Sequence, residues 1–253
     1  FELDLTFFKD FLKDTPHLYT EKLVDRLGPP RHPDEALAQR HYDIAAAMQR
    51  VLEETVFHAL AALHERTESR NLCLSGGLFM NSVLNGKIAG ATPFENVYLT
   101  SCPDDSGNAI GAACYLFHQV LEGGAPQPLA HTYLGPGFDG GEIAQALAKA
   151  RIEAERPAEL EATVAELLAR GQLVGWFQGR MEFGQRALGN RSILADPRDP
   201  AAKDNVNARV KFRESFRPFA PAVLEARAAD YFDVAPGTRV PFALWSGRDG
   251  GLR

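Results

Sequence analysis

The chain has 253 residues, of which 45% are hydrophobic and 24% charged, with 16 phenylalanines and a formal net charge of −6. This composition supplies a full apolar core, excludes a disordered chain and, with no run of about eighteen apolar residues, excludes a membrane-spanning helix. The charge is uneven: residues 180–217 carry nine Lys/Arg against five Asp/Glu, while residues 1–179 carry fourteen against twenty-four, so a local anion site is expected rather than a nucleic-acid-binding surface.

In chain order, GPPRHPDE at 28–35 is a loop by its Gly and Pro content, and residues 40–66 form a long helix. Ile44, Met48, Val51, Leu52, Val56, Leu60 and Leu63 recur there at three- and four-residue spacing and define its apolar face. NLCLS at 71–75 is a short strand running into Gly76-Gly77, with a helix following to about residue 88. Residues 96–100 form a second strand, CPDDSG a polar turn, and residues 108–121 a helix rich in small side chains. Strand–turn–helix units repeated in this way predict an α/β domain. EGGAPQPLA at 122–130 reads as a linker. Helices over 140–151 and 157–170 follow, the second with Pro157 at its start and Gly171 just past its end, and residues 173–178 form a buried strand. Cys73, Cys102 and Cys114 show no CxxC spacing and are expected to be buried, reduced thiols of a cytosolic protein. Phe1 in place of Met, with no charged leader, predicts part of a longer polypeptide without a secretory signal.

Three constellations can carry chemistry. Ser75-Gly76-Gly77 lies between a strand and a helix, where paired glycines let a phosphate or nucleotide approach free backbone N–H groups, with Asn81 one turn further on; plain turn geometry is the alternative. In Asp104-Asp105-Ser106-Gly107, either Asp105 or Ser106 caps the following helix or Asp105 is a metal ligand that needs partners. The third is GRMEFGQRALGNRSILADPRDP at 179–200 with NARVKFRESFRPFAP at 207–221. Glycines 179, 184 and 189 break any helix, so Arg180, Arg186 and Arg191 can converge from loops with Lys211, Arg213 and Arg217. Planar guanidinium forks suit phosphate oxygens, and the interleaved phenylalanines predict an apolar floor rather than an open surface. An anion pocket is the favoured reading, with base stacking on the phenylalanines as the nucleic-acid alternative.

LCLSGGLFMNSVLNGKI, CPDDSGNAIGAA, GRMEFGQRALGNRSILADPR and VKFRESFRPFAPAV together resemble the O-carbamoyltransferase family, which includes enzymes decorating antibiotics and nodulation signals. The resemblance implies an α/β unit over residues 1–124, the second half of an actin/Hsp70-like ATPase fold of the tRNA-threonylcarbamoylation type. A linker at 125–130 and an incomplete, α+β YrdC-like domain at 131–253 would follow. In the family, the YrdC-like domain makes carbamoyl-adenylate from carbamoyl phosphate and ATP, and the actin-like domain transfers the carbamoyl group to a substrate hydroxyl with a bound iron assisting. Carried over, Arg186, Lys211 and Arg217 act on carbamoyl phosphate and ATP, supported by Arg180, Arg191, Ser192 and Arg213. Ser75, Gly76, Gly77 and Asn81 hold the adenylate, Asp105 is an iron ligand (Fe2+), and Mg2+ accompanies ATP.

The family's metal-binding and catalytic histidines have no counterpart here, because they belong to a first actin-like lobe upstream of Phe1. The tail VPFALWSGRDGGLR departs from the family pattern. The resemblance therefore implies a cytoplasmic enzyme acting on a small-molecule hydroxyl, with no nucleic acid and no membrane, that needs the missing lobe and is inactive as these 253 residues alone. A tRNA threonylcarbamoylation-type enzyme, a non-catalytic nucleotide-binding remnant and a sugar kinase-like enzyme are the alternatives.

Overall fold

In a computed structural model, residues 2–9, 17–127, 129 and 131–232 are described. The tail at 240–253 and linker residues 128 and 130 lie outside them. The chain divides into two compact units, one drawn from Phe1–Glu68 with Ala91–Pro93, the other from Ser69–Gly90 with Phe94–Arg253. Among the described residues no helix is long and apolar enough to cross a membrane.

The first unit holds α1 (Glu21–Leu27) and the 29-residue α2 (Gln39–Thr67). Helix α2 spans the predicted element and ends where Glu68 turns left-handed (φ 52°) and its N–H reaches the His64 carbonyl at 2.7 Å. Its predicted apolar face is only partly covered: Val56 and Leu60 are buried and Ile44 and Leu52 half-buried, while Met48, Val51 and Leu63 are exposed. Buried Glu53 shares that face, its carboxylate accepting from the Gln49 amide at 2.7 Å, so a polar pair replaces part of the expected stripe.

The second unit begins with a strand–helix–strand element. Strands β1 (Asn71–Leu74) and β2 (Asn96–Leu99) pair in parallel, joined through a 3-10 turn at Gly77–Met80 and α3 (Ser82–Ala91). Alternation along β1 and β2 buries Leu72, Leu74, Val97 and Leu99, and α3 contributes Leu84 and Ile88, both fully buried. Each such side chain contributes about 1.5–3 kcal/mol by leaving water, so this small core holds the β1–α3 loop and the turn after β2 in place. The same alternation turns Cys73 outward, and Cys114 is exposed on the next helix; only Cys102 is buried. The expectation of three buried thiols is corrected because a two-residue period decides Cys73, not its apolar neighbours.

Helix α4 (Asn108–Tyr115) runs into a π-helical turn at Leu116–Val120, together covering all but the last residue of the predicted 108–121. Then come α5 (Gly140–Ala150), α6 (Leu160–Ala169), β3 (Val174–Phe177), β4 (Arg191–Leu194), α7 (Ala202–Val206) with a π turn at Asn207–Lys211, and α8 (Ala228–Tyr231). Asp139 caps α5 by accepting from Gly141 and Glu142 N–H at 2.8 and 2.9 Å, and Glu142 accepts from the Asp139 N–H in return. Gly171 ends the α6 segment at φ 75°, the role its position predicted. β3 and β4 are antiparallel, with Phe177 opposite Arg191 and Trp176 opposite Ser192. The predicted buried strand is instead half-buried on one side and exposed on the other, because a two-stranded ribbon covers a single face.

Candidate functional site

Three loops of the second unit meet. The Gly76 N–H donates to the Pro103 carbonyl at 2.5 Å and the Ser75 hydroxyl to the same oxygen at 3.4 Å, joining the loop after β1 to the turn after β2. Gly76 has φ 111°, and open space lies where a Cβ would project from Gly76 or Gly77. This is the carboxyl end of the parallel strand pair, where ligands of open α/β sheets bind. Asn81 is the cap of α3: its Oδ1 accepts from Leu84 N–H at 3.0 Å and its carbonyl from Asn85 N–H at 3.1 Å, so its side chain shapes the loop.

The third loop comes from 81 residues away. The Phe183 carbonyl accepts from the Ser101 hydroxyl at 3.0 Å and lies 3.2 Å from the Cys102 thiol, both buried. The Gln185 amide donates to Asp104 Oδ2, whose Oδ1 accepts from the Ser106 hydroxyl at 2.6 Å. Gly184 between them, at φ 131°, passes so near that a Cβ would lie 2.8 Å from the Ser101 carbonyl oxygen. These ties carry the next residue, Arg186, beside the Asp104-Asp105 turn. Asp105 caps nothing, is exposed, and its carboxylate makes no hydrogen bond or ion pair among the described residues. Among those residues no group of three or more His, Cys, Asp or Glu side chains could hold a metal ion.

The basic residues separate into two kinds. Arg180 donates to the carbonyls of Gly135 at 2.9 Å and Leu134 at 2.8 Å. Arg191 grips the carbonyls of Gln178 at 2.6 Å, Asn190 at 2.8 Å and Gly179 at 3.1 Å, and lies 3.6 Å over the Phe177 ring; its buried Nε–H has no partner among the described residues. Arg213 donates to Asn207 Oδ1 at 2.7 Å and lies 4.6 Å over Phe219, while the Asn207 amide donates to the Arg217 carbonyl at 3.1 Å. Arg217 pairs with Glu214 at 3.0 Å on the surface. Ser192 Oγ accepts from Gly189 N–H at 3.1 Å. Arg186 and Lys211, by contrast, are exposed and make no hydrogen bond or ion pair among the described residues. The phenylalanines do not form the expected floor: Phe177 is 53% and Phe212 82% exposed, and two of them instead lie under guanidinium groups.

The residues between β3 and β4 also contain a carboxylate that residue type alone does not single out. Glu182 Oε1 accepts from the backbone N–H of Leu188 at 2.8 Å, Asn190 at 2.7 Å and Arg191 at 3.3 Å. Burial pushes its carboxyl up, but the backbone donors outweigh it and hold the group below the ordinary glutamate value. An open groove of about 390 Å³ in the first unit, lined by Phe7, Lys22, Asp25 and Arg26, contains none of these residues.

Comparison with known families places both halves of this arrangement. The model of the carbamoyltransferase N-terminus matches residues 11–114, and that of the carbamoyltransferase C-terminus matches residues 165–246. The chain belongs to the carbamoyltransferase family. The Ser75–Gly77 loop and the Asp104-Asp105 turn fall in the first match, and Arg180, Arg186, Arg191, Lys211, Arg213 and Arg217, with Glu182, in the second. An uncharacterised protein of Synechocystis is 42% identical over 223 residues, which cover 85% of this chain and 36% of that protein. Nodulation protein NolO of Bradyrhizobium diazoefficiens is 39% identical over 231 residues, 87% of this chain and 42% of its own length. Nodulation protein U of Azorhizobium caulinodans is 39% identical over 236 residues, 92% and 38% respectively. This carbamoyltransferase-family chain thus spans about two-fifths of the length of the relatives it matches.

Proposed function

We propose that the chain is part of a cytoplasmic, ATP-dependent O-carbamoyltransferase that moves the carbamoyl group of carbamoyl phosphate to a small-molecule hydroxyl through carbamoyl-adenylate. On this reading residues 1–124 are the second half of an actin/Hsp70-like transfer domain, 125–130 a linker, and 131–253 part of a YrdC-like domain. The observation that carries it is the division of the cations. In a segment matched by the family, Arg186 and Lys211 are exposed with no protein partner among the described residues, while Arg180, Arg191 and Arg213 hold backbone or side-chain oxygens of the protein. A dianionic phosphate supplies the partners that Arg186 and Lys211 lack.

Carbamate, released with phosphate when water cleaves carbamoyl phosphate, attacks the α-phosphorus of ATP; the new P–O bond replaces the bond to pyrophosphate, which leaves. Arg186 and Lys211 neutralise the phosphate oxygens and the charge developing on them, and Arg217 joins once it exchanges Glu214 for substrate. Ser192 and the carbonyl-bound arginines keep the loop in shape. Ser75, Gly76 and Gly77 offer open backbone to the adenylate, with Asn81 fixing the helix behind them. In the family iron assists transfer and Mg2+ accompanies ATP; Asp105 is the residue here that would face the iron, and no step of this scheme passes through either ion. The excess of acidic residues disfavours a polyanionic acceptor such as tRNA.

The test uses the protein at its natural length and follows pyrophosphate release from ATP with and without carbamoyl phosphate. Release should require carbamoyl phosphate and fall by about 10²–10³-fold in Arg186→Ala and in Lys211→Ala, with the unfolding temperature unchanged. A folded, ATP-binding protein that releases no pyrophosphate under these conditions sinks the proposal.

A further inference from the structure

The segment between β3 and β4 has no regular secondary structure, so its shape depends on individual ties. At one end, Met181 N–H donates to Pro136 at 2.9 Å and Phe183 N–H to Thr132 at 2.7 Å. At the other, Gln178 N–H reaches the Asn190 carbonyl at 3.0 Å, the Asn190 amide the Arg180 carbonyl at 2.7 Å, and the Tyr133 hydroxyl the Leu188 carbonyl at 3.0 Å. Glu182 also ties the two ends from within, deeper in the loop than the Gln178–Asn190 and Arg180–Asn190 bonds. One of its oxygens takes the N–H groups of Leu188, Asn190 and Arg191 and closes the excursion 183–187, whose exposed residues include Arg186.

We infer that Glu182 is a positioning residue: its carboxylate clasps both ends of the 182–191 loop and so holds Arg186 where the phosphate of the substrate is bound. Three N–H groups converging on one atom make the kind of concavity that binds anions, and here the protein's own carboxylate fills it. An ionised acceptor makes bonds about twice as strong as a neutral one, which suits a loop with no ladder to lean on. Without the clasp, Arg186 keeps its charge and loses its address. The residue acts through Arg186 and does not touch the reacting atoms.

This inference rests on the function proposed above, and the experiment separates the two. In the natural-length enzyme, carbamoyl-phosphate-dependent pyrophosphate release is measured for wild type, Glu182→Gln, Glu182→Ala, Arg186→Ala and Glu182→Gln combined with Arg186→Ala. Glu182→Gln keeps the side-chain shape and a carbonyl oxygen, so it folds even where Ala does not. It should raise the KM for carbamoyl phosphate about tenfold while leaving the KM for ATP unchanged, and Glu182→Ala should raise it further. In the Arg186→Ala background the same change should have less than a twofold effect, because the group it positions is gone. Hydrogen exchange should show faster exchange at the Leu188, Asn190 and Arg191 amides of Glu182→Gln. Equal effects in both backgrounds, or an unchanged KM, overturn the positioning role. If wild type releases no pyrophosphate, the proposed reaction falls with the role built on it, and amide exchange still decides the clasp: retained protection in Glu182→Gln overturns it.

Discussion

Gly184→Ala should cost about 2–4 kcal/mol of stability, and the figure follows from two terms. At φ 131° an L side chain is strained by about 1–3 kcal/mol. The added Cβ would also lie 2.8 Å from the Ser101 carbonyl oxygen and 3.0 Å from the Cys102 sulfur, and the first of these is backbone that cannot rotate aside. Relief means withdrawing the 183–185 loop, which gives up the 3.0 Å Ser101–Phe183 hydrogen bond, worth about 0.5–1.5 kcal/mol. Urea unfolding is the assay, with Gly111→Ala as the matched change. Gly111 lies inside α4 with nothing within 4 Å of its missing Cβ, so alanine there should stabilise by about 0.5–1 kcal/mol. Opposite shifts of the urea midpoint at unchanged slope are expected. A Gly184→Ala midpoint within experimental error of wild type would refute the close approach of the two loops.

Two further outcomes follow from the core and from Glu182. Leu84→Ala, at a fully buried position of α3, should cost about 2–5 kcal/mol in the same assay; a loss well below 1 kcal/mol would mean the strand–helix core is not closed around it. Glu182 titrates below its ordinary value in the folded state, so its stabilising effect is complete above the unfolded-state value of about 4.3 and is lost as pH falls through the lower folded value. The stability gap between wild type and Glu182→Gln should therefore hold near neutral pH and close on acidification, and a gap independent of pH would refute the anionic clasp.

The elements whose cause is local were legible from residue order. Leu72, Leu74, Val97 and Leu99 alternate, Gly171 sits just past α6, and the long run of helix formers from Gln39 to Thr67 is one helix, as periodicity requires. Asp139 and Glu142 also carried a readable capping signal three residues apart. What composition could not reveal was which arginine serves the fold. Arg180 and Arg186 look alike in sequence, yet Arg180 finds carbonyls 45 and 46 residues away whereas Arg186 faces outward. The difference lies in tertiary placement, not in residue type. Glu182 was overlooked for the same reason: one acid among arginines suggests an ion pair, and its partners are backbone N–H groups that leave no mark in the sequence.

The Ser101–Phe183 bond joins residues 82 apart, and that separation bears on the order of assembly. Closing a chain segment of that length costs about 4 kcal/mol of entropy from its length dependence alone, more than one such hydrogen bond returns. The contact therefore cannot lead folding; it must wait until β1, α3 and β2 on one side and the β3–β4 ribbon on the other have formed from nearer neighbours. During synthesis the strand–helix–strand element emerges some eighty residues before Phe183 does, and spends that interval without the bonds that Phe183 and Gln185 make to Ser101 and Asp104. Arg186, carried on that loop, thus reaches its place only after the strand–helix–strand element and the β3–β4 ribbon have formed to receive it.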